Sequence, residues 1–312
     1  MPDPVLLLEA TGAAAALAAF VLLLLVRPWR SPSPAGVGAA WATSVGVGFA
    51  LGCWFLQPKL HWPPQEDQDR FILLVMPVAF VIELLAAIPR LSRWLIGSLR
   101  GIFAAAVAPV LLYGSVYLTA SQSAESWSPT QRLLILVGMT VALVTVWGLL
   151  ALLQSRASGR LLPFALALTC FAAGVTVVFS GCISGGLLAL PLVAALMGAA
   201  AASLVLPASP ISTGWLGLGI VGLFSVLVSG RFFADLSTGQ ALVLFCVPLL
   251  GWVPELPGFR RLRLSWRDLA RTALIATAAL VIAGQAFLKS SAPISSSPEE
   301  VESIQDYLDF KR

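Results

Sequence analysis

The sequence predicts an all-α fold, a polytopic transmembrane helix bundle of about ten spans, and three observations carry that prediction. Of 312 residues, 58% are hydrophobic and only 11% charged, with a mean hydropathy of +0.91, far from the usage of water-soluble domains. Runs of about 20 residues nearly free of charge recur along the chain, each long enough to cross a hydrocarbon core of about 30 Å as a helix. The polar/apolar alternation of a membrane barrel is absent, so helices are left as the way to satisfy backbone groups in lipid.

The spans follow in order. The first runs from about Val5 to Val26 and ends at Arg27-Pro28-Trp29-Arg30. Its start, Met-Pro-Asp-Pro, lacks the basic stretch of a signal peptide, and its apolar run is too long for one, so it reads as a membrane helix. The second covers Ala35 to Gln57; the third, Phe71 to Ile88, is stopped by Pro89. The fourth, Gly101 to Thr119, follows a basic link with Arg90, Arg93 and Arg100, and the fifth is Leu133 to Leu153. The sixth, Leu161 to Ser180, and the seventh, Gly186 to Leu206, are joined by a short Gly/Ser/Cys turn and should form a tight antiparallel pair. The eighth is Thr213 to Gly230 and the ninth Gly239 to about Glu255; a strongly basic link then leads to the tenth, Ala270 to Leu288.

Residues 1–288 thus read as one transmembrane domain and 289–312 as an extramembrane acidic tail. In the tail, Ser297-Pro298-Glu299-Glu300 has the residues of a helix start. Val301, Ile304 and Leu308 then share one stripe of a short amphipathic helix. A parallel internal repeat is also expected. Trp41 aligns with Trp215, Pro77 with Pro248, Glu83 with Glu255 and Arg90 with Arg263, at offsets of 171 to 174. Spans one to four (5–119) would repeat as spans seven to ten (186–288), with 120–185 as connector.

Charge placement predicts orientation. With the N-terminus outside, twelve of the nineteen Lys and Arg residues fall in the five inner links, as the positive-inside rule requires. Both termini are therefore expected on the outer side of a cell membrane, a prokaryotic cytoplasmic membrane being the expected setting. The net charge of +4 is distributed as topology markers, with no basic patch for nucleic acid.

Three groups of residues are candidate sites. Glu83 lies about 12 residues into the third span, roughly 18 Å along the helix. A carboxylate at that depth costs about 2.5 to 3.5 kcal/mol on insertion scales, so it should face the bundle interior, either as a proton carrier or paired with Arg90, two turns on and able to snorkel back. Glu255, beside Arg260 and Arg261, reads as a helix-terminal salt bridge or as a second intramembrane acid. The third group is His61, Glu66, Asp67 and Asp69 in the loop before the third span. Its hard ligands would suit Mg²⁺, Ca²⁺ or Mn²⁺, but the spacing matches no metal motif. The same residues also read as a turn and helix start, with Trp62 as interface anchor and the acids at a positive dipole end.

No motif implies a cofactor. The string from Gly217 to Gly222 matches G-x-G-x-x-G by letter, but no strand precedes it, and it reads as a small-residue packing face, as does Gly48-x-x-x-Gly52. Cys53, Cys170, Cys182 and Cys246 lack metal or redox spacing and read as apolar fillers. Three functions fit: a carrier of a small solute, ion or lipid using Glu83; a non-catalytic membrane subunit or scaffold; or an enzyme acting on a lipid-linked substrate at the outer face. The bilayer is the expected partner, with a membrane-protein partner meeting the outer loop or the tail.

Overall fold

The structure, a computed structural model, describes residues 4–26, 34–56, 60–118, 127–156, 161–206, 214–256 and 264–291. Among them there is no strand. The helices are α1 (Pro4–Leu25), α2 (Pro34–Leu56), α3 (Asp67–Arg70), α4 (Met76–Ala86), α5 (Arg93–Leu111), α6 (Pro129–Arg156), α7 (Leu162–Phe179), α8 (Ile183–Leu187), α9 (Ala189–Val205), α10 (Leu216–Phe233), α11 (Thr238–Cys246) and α12 (Leu264–Ser291). A π turn, Phe71–Val75, joins α3 to α4, and a 3-10 segment, Val247–Glu255, continues α11. The acidic tail and its expected amphipathic helix lie outside the described residues.

Nine described helices are long and apolar enough to cross a membrane. The remaining expected span is the unbroken helical run from Asp67 to Ala86, whose charged residues Asp69, Arg70 and Glu83 set it apart. Pro77 shapes this run. A proline lacks an N–H and crowds the carbonyl four residues back. The turn before it accordingly widens, and the N–H of Met76 bonds the Phe71 carbonyl five residues away.

Two helices begin earlier than hydropathy suggests, because polar residues cap them. At α5, the Ser92 hydroxyl accepts from the Leu95 N–H at 3.1 Å. That cap places Arg93 and Arg100 inside the helix instead of in the preceding link. At α6, Ser128 and Gln131 form a reciprocal pair: the Gln131 N–H donates to Ser128 Oγ, and the Ser128 N–H to Gln131 Oε1. Pro129 occupies the first helical position, where its missing N–H costs nothing.

α10 is the centre of the bundle. Every residue from Leu216 to Gly230 is buried, and a helix apolar on all sides belongs inside others. It packs against α4, α5, α6, α7, α9 and α11. Close approach is possible because a Cβ at Gly222 would collide with the Leu192 side chain. On one side α1, α2 and α9 form a tight group. α1 buries Ala10, Ala14, Ala18 and Leu22, a stripe with a step of four residues that lets α2 approach closely. The Ser44 hydroxyl donates to the Ala18 carbonyl across that contact at 2.6 Å. On the other side α12 packs on α7 and on the 3-10 segment. α7 turns back into α8 and α9 through Gly181, at φ +104°. Large apolar side chains such as Phe20, Leu133, Leu134, Val281 and Leu288 are exposed on the flanks, as a hydrocarbon-facing surface requires.

Candidate functional site

The bundle has two polar ends, defined by contacts between loops. Gln68 donates to Ser184, the Asp235 N–H bonds the Ser180 carbonyl, and Tyr117, Trp127 and Phe232 stack together. These groups form the His61 end. The opposite end carries the α4–α5 link, Glu255 and the start of α12.

Glu83 sits between these ends and is fully buried. Its Oε2 accepts from Arg100 Nη2 at 2.8 Å. The expected partner, Arg90, is exposed. The correction has a simple cause: α4 ends at Ala86, so Arg90 is past the helix and no longer on the face of Glu83, whereas the early start of α5 turns Arg100 inward. Arg100 also lies over the Trp147 ring, 5.2 Å from its centroid. Gly217 of α10 closes the site; a Cβ there would strike Glu83 Oε1 and come within 2.7 Å of the Trp147 ring. Glu83 Oε1, Arg100 Nε and Trp147 Nε1 are buried without a hydrogen-bond partner. The first glycine of the string therefore serves the approach of a carboxylate, whereas a Cβ at Gly219 or Gly222 would meet Leu166 or Leu192.

Glu255 repeats this chemistry nearer the end of the bundle. It receives Arg267 and Arg271, the latter at 2.7 Å. Arg260 and Arg261, its expected neighbours, lie outside the described residues. Arg271 is 2% exposed and also donates to the Gly251 carbonyl at 2.9 Å and to Asp268 at 2.7 Å. α12 starts at Leu264, ahead of the expected Ala270, which is why both arginines are helical and face the 3-10 segment. Trp252 stacks with Arg156 of α6, at 5.5 Å. The two carboxylate–arginine clasps, Glu83–Arg100 and Glu255–Arg271, sit at offsets of 172 and 171, in register with the aligned tryptophans, whose rings are 6.3 Å apart.

The His61 end brings the four loop residues together only in part. Asp69 is buried and holds the start of α3: its Oδ2 accepts from the N–H groups of Gln65 and Glu66 at 3.2 and 3.3 Å, with His61 Nδ1 at 3.4 Å. Glu66 is exposed and supplies the other half of the capping box. Asp67 points elsewhere, toward Cys182, and its Oδ2 has no hydrogen-bond partner. Burial first, then the Asp67 charge, hold the Cys182 thiol above its ordinary range. Arg70 ties the loop to α5 through the Leu111 carbonyl at 3.2 Å and lies over Tyr113. Among the described residues no group of three or more His, Cys, Asp or Glu is arranged to hold a metal ion.

Two clefts open between helices. One, of about 650 Å³, lies between α2 and α4 and is lined by Gly46, Ala50, Trp54, Met76 and Phe80, with no charged residue. The other, of about 370 Å³, lies between α6, α10 and α11 and is lined by Gly138, Ala142, Phe224 and Phe245, with Arg231 and Thr238 at one end. Neither is lined by Glu83. Hydropathy could not reveal these clefts, because they arise from how the helices diverge.

Comparison with protein-family models, curated proteins and solved structures finds no match for this chain. The fold itself defines a class: an all-α bundle whose nine apolar helices, among the described residues, fit a multi-pass membrane protein.

Proposed function

We propose that this protein is a multi-pass membrane protein that holds a lipid-like molecule in the clefts between its helices, the lipid-directed form of a carrier. One observation supports this reading above others: two clefts between helices are largely apolar and neither reaches the deepest acid, Glu83, which is closed in by Arg100 and Gly217. A carrier of polar solutes needs its acid on a wet path. Here the carboxylate acts as a clasp between α4, α5 and α10. The enzyme reading loses its support because Asp69 and Glu66 are engaged in starting α3 and Asp67 diverges from them. The dense packing around α10 also favours the reading of a non-catalytic membrane subunit, which predicts a protein partner in stoichiometric amounts after mild-detergent purification. Arginines clustered at the Glu255 end favour that end as the cytoplasmic one, in a prokaryotic cytoplasmic membrane with both termini outside.

The test is native mass spectrometry of the full chain purified in mild detergent. Retained amphiphile is expected, and its loss when Ala50→Phe and Gly138→Leu fill the two clefts. A protein free of amphiphile, combined with proteoliposome uptake of a polar solute that Glu83→Gln abolishes, overturns the reading.

A further inference from the structure

The cleft between α6, α10 and α11 has the polarity of an amphiphile. Its depth is walled by Gly138, Ala142, Phe224 and Phe245, and its volume of about 370 Å³ is in the range of ligand sites, roughly 300 to 1,000 Å³. One end is different. Arg231, in the last turn of α10, lines the cleft there and donates from Nε to the Thr238 hydroxyl at 2.7 Å. That bond and the neighbouring Phe232 ring, 5.6 Å from its guanidinium carbon, fix the side chain in place. Among the described residues Arg231 has no carboxylate partner, although Asp235 is one turn away in sequence. Arg100, Arg267 and Arg271 are each matched by an acid, and the buried Arg70 spends its guanidinium on the Leu111 and Gln65 carbonyls; Arg231 has only the Thr238 hydroxyl as hydrogen-bond partner among the described residues.

A guanidinium held by one nitrogen presents its two terminal amino groups as a planar fork, which suits a phosphate. The same end carries the stacked rings of Tyr117, Trp127 and Phe232, and Tyr and Trp are the residue types that settle at headgroup level in a bilayer. A polar, cationic, aromatic mouth thus opens directly onto an apolar trough. Resting on the reading that the clefts hold lipid-like molecules, we propose that this cleft binds an anionic phospholipid, its phosphate on Arg231 and one acyl chain between α6, α10 and α11. The cleft between α2 and α4 has no charged lining residue and serves as an internal control without headgroup preference.

The experiment uses the delipidated full chain in detergent, titrated in native mass spectrometry with phosphatidylglycerol, phosphatidylcholine and diacylglycerol of identical chains, and with inorganic phosphate alone. One site at least tenfold tighter for phosphatidylglycerol than for the other two lipids is expected. Arg231→Gln should remove that preference and Arg231→Lys should keep most of it. Gly138→Leu, at a position where a Cβ meets nothing within 4 Å, should weaken binding of all three lipids at this site without unfolding the protein. Equal binding of the three lipids by the native chain, or an unchanged preference in Arg231→Gln, overturns the headgroup assignment and leaves the lipid-binding reading standing. Binding of inorganic phosphate as tightly as phosphatidylglycerol identifies a free-anion site and also overturns it. Absence of any lipid binding, with Gly138→Leu identical to the native chain, overturns both.

Discussion

Replacing Arg100 by Met tests whether Glu83 is a clasp. Glu83 is fully buried, and among the described residues its only hydrogen bond is the one from Arg100. Removing that donor leaves a carboxyl group between α4, α5 and α10 with no partner at either oxygen. Breaking a buried ion pair from one side costs about 3 to 5 kcal/mol. The Arg100 side chain is 22% exposed, which places the expected loss toward the lower figure. Glu83→Gln keeps the shape and accepts one hydrogen bond, so it should cost less, about 1 to 3 kcal/mol. The double variant Glu83→Leu/Arg100→Met removes both charges and should recover most of the loss, since an apolar replacement of a buried pair is often neutral or stabilising. Reversible unfolding in mixed micelles measures all three, and adding the Glu83→Leu single variant closes the double-mutant cycle. A cost below about 1 kcal/mol for Arg100→Met, or a double variant as unstable as the worse single, would refute the clasp.

Further outcomes follow from the same geometry. Gly217→Ala should destabilise by about 1 to 3 kcal/mol, because its Cβ meets Glu83 and Trp147; the cost should shrink in the Glu83→Leu background when both are unfolded in micelles. Arg271→Met should cost about 3 to 5 kcal/mol, since it breaks bonds to Glu255, Asp268 and Gly251 together. Arg267→Met leaves Glu255 still bonded to Arg271, so it should cost less by the same assay, about 1 to 3 kcal/mol. In a Cys246→Ser background, alkylation of Cys182 should accelerate only above the ordinary thiol range, because its thiol is raised. Asp67→Asn removes one of the causes, so the rate profile should move to lower pH.

The sequence carried the fold class because hydropathy is read residue by residue, and it carried the importance of Glu83 because an acid in an apolar run is conspicuous. It missed the partner. Counting along one helix offers Arg90 as a partner, whereas the helix stops at Ala86 and the chain reverses. The signal that would have found Arg100 is the serine cap: Ser92 starts α5 a full two turns before the apolar run begins at Gly101. The same motif was legible elsewhere, since the Ser-Pro-x-Glu/Gln pattern noticed at Ser297 occurs at Ser128-Pro129-Thr130-Gln131, where it starts α6. The start of α12 at Leu264, ahead of the expected Ala270, is hidden for a related reason, because charged residues such as Arg267 and Asp268 mask a helix start from a hydropathy window. All three loop acids stand at the start of α3, Glu66 as its N-cap and Asp67 and Asp69 in its first turn; the influence of the Asp67 charge on Cys182 joins distant segments, which no local pattern announces.

The two clasps, Glu83–Arg100 and Glu255–Arg271, join α4 to α5 and the 3-10 segment to α12 with similar residue spacing. Both pairs flank α6, which meets one through Trp147 and the other through Leu153 beside Gly251. With those helices held, the two apolar clefts open laterally, and that arrangement directs the functional reading toward the hydrocarbon phase.

Cryo-electron microscopy of the full chain in a nanodisc of mixed anionic and zwitterionic lipid tests that reading most directly. The account predicts elongated density in the cleft between α6, α10 and α11, ending in a headgroup at Arg231, with Glu83 closed against Arg100. A water-filled passage reaching Glu83, with the two clefts collapsed onto their own side chains, would contradict it.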